Sequence, residues 1–553
     1  MALPTHLLVF REASEKLPGR SLALLLDQAI ARVTAEDTNS IVSALIIAGE
    51  LECALADVGD GSAAAAASLT DVLAGTLLGI RSADCRRLCS LLSAIQPALP
   101  ESVRVSPPEG FAYYALHPAD FADVSAEWAD KGPVAVIGIR SIGTTLSAVT
   151  TAALTRCGIR ASRITVRPVG HPYDRRLELA ISEQRWVADQ EKQNATFVAV
   201  DEGPGLSGSS FLCVAEALEG CGINPSRITL FGTRDPDPQQ LCARDAAQRW
   251  RRYNWRPTRS TIRRTHSGQI SVSGGAWRDQ FLGSRAAWPA CWPEMESLKF
   301  LDPERVYLAK FEGLGPQSQN NFQRAEVLFD RGFAPAASRT EAGMTRYEFI
   351  SGSPLSRAAQ STEVLDRIAE YCAFRASNFR ASVERDQLAE MVRFNLFEET
   401  KCELRLPEAA FECESPIVPD CRMQPHKWIR TGAGTIVKVD GAADGQGHFL
   451  PGATDVLWDL AGAIVEWNMN PDAQQYLLAQ FQRRHRRVSK EKLAYFILAY
   501  SIFRLSYCKM AHSSTQTVAE KKRLRTAALY YGRMVDRTLE RQAISKIKRQ
   551  FAI

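Results

Sequence analysis

With 553 residues, of which 45% are apolar and 23% charged, the chain is long enough for three to five units and ordinary enough in composition to exclude wholesale disorder, collagen and a coiled coil. The net charge of +5 hides a gradient: Phe481 to Ile553 holds 18 Lys and Arg against 4 Asp and Glu, so a +14 tail follows a body carrying −9. No run approaches the ~18 apolar residues of a membrane span, no secretory leader pattern opens the chain, and the 13 cysteines are scattered without a C-x-x-C pair, which predicts reduced thiols, a cytoplasmic location, and neither a disulfide framework nor a zinc site.

Residues 20–96 carry apolar side chains at helical spacing, as in SLALLLDQAIARV and NSIVSALIIAGELECALADV, with Gly and Pro only between segments, and predict a helical N-terminal region over 1–105. After the PPEG punctuation the pattern changes to short β-branched runs alternating with helices: VAVIGI, LSAVTTAALTRC, RITVRP, TFVAV, FLCVAEALEGC and RITLFG. That alternation predicts parallel βαβ units over 106–240. A stretch rich in Arg, Trp, Pro and Gly is expected to act as a linker or extension over 241–299. The strand-like VYLAKFEGL then opens a third region over 300–355, which turns helical over 356–553. The fold class is therefore α/β and multidomain.

Two loops follow buried strands, where open parallel sheets bind ligands. The first, Gly138-Ile139-Arg140-Ser141-Ile142-Gly143-Thr144, precedes a helix. Its small residues let backbone N–H groups approach an anion, and Arg140 adds a fork suited to phosphate. The second runs from the strand TFVAV into Asp201, Glu202 and Gly203-Pro204-Gly205-Leu206, then Ser207-Gly208-Ser209-Ser210 at a helix start. Vicinal carboxylates can accept hydrogen bonds from two cis hydroxyls of a ribose, and the Ser/Gly loop can cradle a monophosphate.

Together these loops, covering about residues 106–235, resemble the type I phosphoribosyltransferases. That likeness implies that 201–210 hold the ribose 5-phosphate of phosphoribosyl pyrophosphate and 138–144 its pyrophosphate, with Asp201 and Glu202 catalytic. The second acid is Glu rather than Asp, the spacer is one residue longer, and Ser replaces Thr, all of which alters reach. Between the loops, RITVRPVGHPYDRRLELA stands where the family carries a mobile loop, making Arg167, His171, Tyr173, Asp174 and Arg175 candidate contacts. Phe111, Tyr113 and Tyr114 are read as core aromatics, with stacking on a base as the alternative.

In Val306–Phe311 a lysine, Lys310, interrupts an apolar strand, and Glu326 follows on a helical stretch. A strand lysine paired with a helix glutamate is how kinase folds hold ATP phosphates. Downstream lie Pro419-Asp420-Cys421-Arg422, the hairpin-like IRTGAGTIVKVDG ending at Asp440, and DVLWDLAGAIVEW. The succession resembles the aminoglycoside phosphotransferase and choline kinase branch of the protein-kinase fold and implies a C-terminal, bilobal α+β domain. In that likeness Asp420 orients or deprotonates the acceptor, Asp440 binds Mg2+, and Asp459 braces the catalytic loop. Pro425 stands in place of the family's asparagine, leaving Gln424 or His426 as substitute metal ligand, and imidazole matches hard Mg2+ poorly. No Gly-rich nucleotide loop lies close before Lys310.

These readings describe a bifunctional enzyme. It would combine phosphoribosyl transfer or cleavage, using phosphoribosyl pyrophosphate and a base or nucleotide, with ATP-dependent phosphorylation of a small molecule. The competing class is a regulatory protein that binds a ribose phosphate without turnover and uses a degenerate kinase-like domain to dock a protein or nucleic acid. The basic tail is expected to be the solvated face of a helical bundle, with a nucleic-acid contact as the alternative.

Overall fold

The computed structural model describes residues 15–59, 61–106, 108–123, 132–381, 388–401, 406–442 and 450–550. The N-terminal region is helical, with helices Gly19–Ile30, Thr38–Val58, Ala63–Leu77 and Cys85–Ile95. Asp37 caps the second by accepting from the Asn39 N–H, and Gly59 ends it in a left-handed conformation at φ +76°, a backbone shape that costs glycine little. A short strand, Glu15–Leu17, pairs antiparallel with Val103–Val105 and closes the region.

The run VAVIGI forms the fully buried strand Val134–Ile139. It lies inside a five-stranded sheet in the order Ala161–Val166, Val134–Ile139, Thr196–Val200, Ile228–Gly232, Asn254–Pro257, and every neighbour pair is parallel. Successive side chains point to opposite faces. Val134, Val136, Val198 and Val200 join the N-terminal helices and the helix Ile142–Arg156 in one core. Ala135, Ile137, Ile139, Phe197 and Ala199 join the helices Ile181–Lys192 and Ser209–Gly220 in another. Covered on both faces, the strands need the continuous apolar runs seen in the sequence.

The stretch 241–299 is not a linker. Asn254–Pro257 is the fifth strand of the parallel sheet, while Ile270–Ser271 and Lys299–Leu301 belong to a second, antiparallel sheet completed by Tyr307–Phe311, Met344–Glu348 and Ala337–Arg339. Its short, aromatic- and arginine-rich pieces lack the alternation that marks strands in longer runs. The N-terminal helices are likewise no separate unit, since Phe300, Ala309, Phe311 and Met344 pack into the same core as they do.

A three-stranded sheet, Gly352–Pro354 with the hairpin Trp428–Thr431 and Ile436–Lys438, leads into a helical C-terminal body. The helices Thr362–Asn378, Leu388–Thr400, Leu457–Glu466, Pro471–Arg484, Lys490–Ser514 and Val518–Gln550 surround a core containing Trp428, Trp458 and Trp467. Among the described residues, no helix is long and apolar enough to cross a membrane.

Candidate functional site

Parallel pairing of Val134–Ile139 with Thr196–Val200 brings the two sequence-predicted loops side by side at the carboxyl edge of the sheet. Gly143 lies so close to the end of the second strand that a Cβ there would sit 2.5 Å from the Val200 carbonyl oxygen and 3.5 Å from Asp201 Oδ1. Its backbone N–H donates to Asp201. Ser141 takes φ +115° and ψ −117°, a conformation that costs a non-glycine residue about 1–3 kcal/mol and persists where the surroundings enforce it. Thr144 is wholly buried, and its Oγ1 has no hydrogen-bond partner among the described residues.

Burial pushes Asp201 up to about 7 and Glu202 up to about 8, the latter helped by the neighbouring charges of Asp201 and Glu109. Glu109, which sequence reasoning did not single out, is itself pushed up to about 7 by burial. It opens the helix Glu109–Tyr113, which carries Gly110 against the acid pair; a Cβ on Gly110 would fall 2.7 Å from the Glu202 carboxyl. The only sequence signal for this third acid is its place in the PPEG turn.

The serine loop opens the helix Ser209–Gly220, with Gly208 in the left-handed region at φ +71°. Ser207 Oγ and Ser209 Oγ both donate to the Pro172 carbonyl, at 2.8 and 2.7 Å, and Ser210 follows on the first turn. Pro172 is the tip of the antiparallel hairpin Val169–His171 and Asp174–Arg176, so the segment expected to be a mobile loop is a structured hairpin docked on the serine loop. His171 is exposed and packs on the Tyr173 ring, Asp174 pairs with Arg176, and Arg175 donates to the Gly170 carbonyl.

Two arginines are placed differently from expectation. The Arg140 fork is engaged within the protein: it donates to Thr165, to the Ala56 carbonyl and to the Asp57 carboxylate. Arg167 donates to Asp57 at 2.5 Å, to the Arg140 carbonyl and to Cys53 Sγ. Asp57 lies on the helix Thr38–Val58, a long-range partner with no local signature in the sequence. Phe111 is buried in the core, while Tyr113 and Tyr114 line a cleft of about 1150 Å3 shared with Trp277 and Arg422.

In the C-terminal half, Asp459 at the start of the helix Leu457–Glu466 accepts from the backbone N–H groups of Asp420 (3.0 and 2.9 Å) and Cys421 (3.1 Å). Asp420 is fully enclosed. Its carboxylate accepts from Tyr371 Oη, from the Arg422 N–H at 2.9 Å and from Lys438 Nζ at 3.1 Å. Burial opposes its charge, but the Lys438 ammonium and the Arg375 guanidinium outweigh that and hold it below the usual carboxylate range.

Lys310 does not pair with Glu326, which lies on the exposed face of the helix Pro316–Asp330. It pairs instead with Glu312 and with Asp440, each at 3.1 Å. Glu312 lies two residues along the same strand edge and so on the same face as Lys310. The expected metal set does not assemble either. Asp440 is met by Lys427, Lys310 and Lys299, Gln424 reaches toward Glu466, and His426 stacks on Trp277 with ring centres 5.2 Å apart. Among the described residues, no group of three or more His, Cys, Asp or Glu is arranged to hold a metal ion. These residues therefore do not fit Mg2+, which asks for several free oxygen ligands.

Some of the tail's cations are paired: Arg486 with Asp455 at 2.6 Å, Lys509 with Glu399 at 2.5 Å, and Arg523 with Glu520 at 2.7 Å. Leu493, Phe496, Tyr500, Phe503 and Leu505 are buried.

No protein-family model matches the chain, and no curated protein does. Solved structures do resemble it in part. Choline kinase LicA from Streptococcus pneumoniae is 18% identical with a TM-score of 0.31, over 43% of this chain and 89% of that one. A Plasmodium vivax ethanolamine kinase is 11% identical with a TM-score of 0.30, over 44% and 79%. The GDP complex of aminoglycoside 2'-phosphotransferase-IIIa is 10% identical with a TM-score of 0.29, over 42% and 89%.

Proposed function

We propose that the parallel-sheet domain binds a 5-phosphorylated ribose and uses phosphoribosyl pyrophosphate to make or break an N-glycosidic bond. The observation that carries this reading is the apposition of the Asp201–Glu202 pair, the Ser207–Ser210 loop and the Ser141–Thr144 turn at the ends of adjacent parallel strands. In it, the two carboxylates accept from the ribose 2- and 3-hydroxyls. The serine hydroxyls and the N–H groups opening the helix take the 5-phosphate, and the Ser141–Thr144 turn takes the pyrophosphate. As the C1–O bond to pyrophosphate breaks and the C1–N bond forms, the ring gains oxocarbenium character that the buried carboxylates stabilise. For the phosphate to gain Ser207 and Ser209, the Pro172 tip must release them, which gives the hairpin a role in admitting ligand and then excluding water. Release of pyrophosphate from phosphoribosyl pyrophosphate, assayed against a panel of purine, pyrimidine and related bases, tests transfer; no release with any base, in a protein that binds the ligand, would reduce the reading to binding alone.

For the C-terminal half, one observation favours ligand binding over phosphoryl transfer. A base or orienting carboxylate must reach the acceptor hydroxyl, and Asp420 is enclosed by Tyr371, Lys438 and the Arg422 N–H. A kinase-like body that binds a ligand without transferring a phosphoryl group is the reading this supports. ADP formation from ATP and Mg2+ with candidate small-molecule acceptors would instead establish the transferase reading.

A further inference from the structure

We infer that the cleft beside Asp440 binds a phosphate-bearing anion directly on lysine ammonium groups, without a divalent cation, and that Asp440 is an internal counter-anion which the ligand displaces. This rests on reading the C-terminal half as a ligand-binding unit and is independent of the ribose-phosphate site. Lysines are almost never fully buried unless paired, yet Lys299, Lys310, Lys427 and Lys438 are 5%, 3%, 9% and 1% exposed. Three of them converge on one carboxylate: Lys310 lies 3.1 Å from Asp440 Oδ1, Lys299 3.8 Å from Oδ2, and Lys427 donates to Oδ2.

The other acids nearby have anchors of their own. Glu312 accepts from Tyr347 Oη at 2.8 Å, Glu296 from Trp277 Nε1 and the Gly275 N–H, and Asp420 from Tyr371. The side chains paired with the Asp440 carboxylate are the ammonium groups of Lys299, Lys310 and Lys427, and the Arg422 guanidinium adds a further positive charge nearby. That carboxylate is therefore the anion that can be exchanged at least expense to the rest of the network, and replacing it by a phosphoryl oxygen cluster keeps all three ammonium groups compensated. Space is present beside it: a cavity of about 310 Å3 is lined by Trp277, Lys299, Lys427, Lys438 and Asp440, with Glu312 on its wall and Lys310 behind, held by Glu312 and Asp440. That is a small-ligand volume with aromatic walls and convergent charge. A divalent cation, by contrast, would have to bind Asp440 oxygens already taken by ammonium groups, against three like charges.

The two alternatives predict opposite signs for one substitution. Under metal binding, Asp440→Asn abolishes nucleotide affinity; under lysine capture, it removes the competing internal anion and tightens affinity. The test is calorimetry on the full chain with ATP and, separately, inorganic tripolyphosphate, each in EDTA and in excess Mg2+. We expect at least one of the two to bind wild type in EDTA within about threefold of its affinity in Mg2+, to bind Asp440→Asn at least as tightly, and to bind Lys427→Met at least tenfold more weakly. Binding of ATP alone would assign a nucleoside polyphosphate, and binding of both the polyphosphate group itself. Binding that requires Mg2+, or no binding of either ligand to wild type under any condition, overturns the inference, and this arm needs no variant to fold.

Discussion

Ligand binding at the Asp201–Glu202 pair should be strongly pH-dependent, because the geometry asks both carboxylates to accept hydrogen bonds and burial raises both into the neutral range, Asp201 to about 7 and Glu202 to about 8. At pH 6 both are largely protonated, and ionising each costs on the order of 1–3 kcal/mol. Their coupling makes the sum an upper bound, so affinity for ribose 5-phosphate should rise by roughly 10²–10³ between pH 6 and pH 9, with release of one to two protons. The sign for folding is the reverse. The folded state retains protons that the unfolded chain loses near its ordinary carboxylate values of about 4, so this pair lowers stability as pH rises from there toward 7 and 8. Calorimetry in buffers of differing ionisation enthalpy counts the protons. Glu202→Gln separates the site from the ligand's own phosphate titration near pH 6, since it should remove the step toward 8 while leaving the ligand's. Affinity that is flat across this range, or proton uptake on binding, would refute the reasoning.

Gly110→Ala places a Cβ 2.7 Å from the Glu202 carboxyl and should weaken ribose 5-phosphate binding at least tenfold, with about 1–3 kcal/mol lost in thermal unfolding from overpacking. Asp459→Ala removes the acceptor of the Asp420 and Cys421 N–H groups and the partner of Arg375, 3.6 Å away. It should destabilise the C-terminal body by about 3–5 kcal/mol in denaturant unfolding, as expected when a buried charge loses its partner. Replacing Arg483, Arg484, Arg486 and Arg487 by Ser should leave only weak, salt-sensitive nucleic-acid association in both wild type and variant, measured by anisotropy. A wild-type loss of about 10³–10⁵ in affinity between 50 and 200 mM salt, as for six to ten phosphate contacts, would contradict that.

What could be read from the chain was what short-range pattern encodes. The buried run VAVIGI, the acids after TFVAV and the serine loop at a helix start all announced a strand end with an anion loop, and the structure places them on adjacent parallel strands. The hairpin ending near Asp440 was legible for the same reason, turn residues between alternating strands. Long-range charge pairing was not legible. Nothing near Arg140 or Arg167 in sequence points to Asp57, and the kinase likeness points Lys310 to Glu326, whereas a same-face neighbour, Glu312, and the distant Asp440 hold it. Lys299 and Lys427 look like ordinary surface lysines until the antiparallel sheet and the hairpin carry them to one carboxylate. The strands within 241–299 are not legible because they are two to four residues long, too short for periodicity to register.

The central claim, that the acid pair and serine loop hold a ribose phosphate, is tested most directly by titrating phosphoribosyl pyrophosphate into wild type and into the Asp201→Asn, Glu202→Gln double variant at pH 8. Wild type should bind, and the variant, shown folded by circular dichroism, should lose about 2–4 kcal/mol, or roughly 30- to 1000-fold, as two charge-assisted hydrogen-bond acceptors are neutralised without full additivity. Equal affinity in the folded variant would show that the carboxylates do not touch the ligand and would contradict the account.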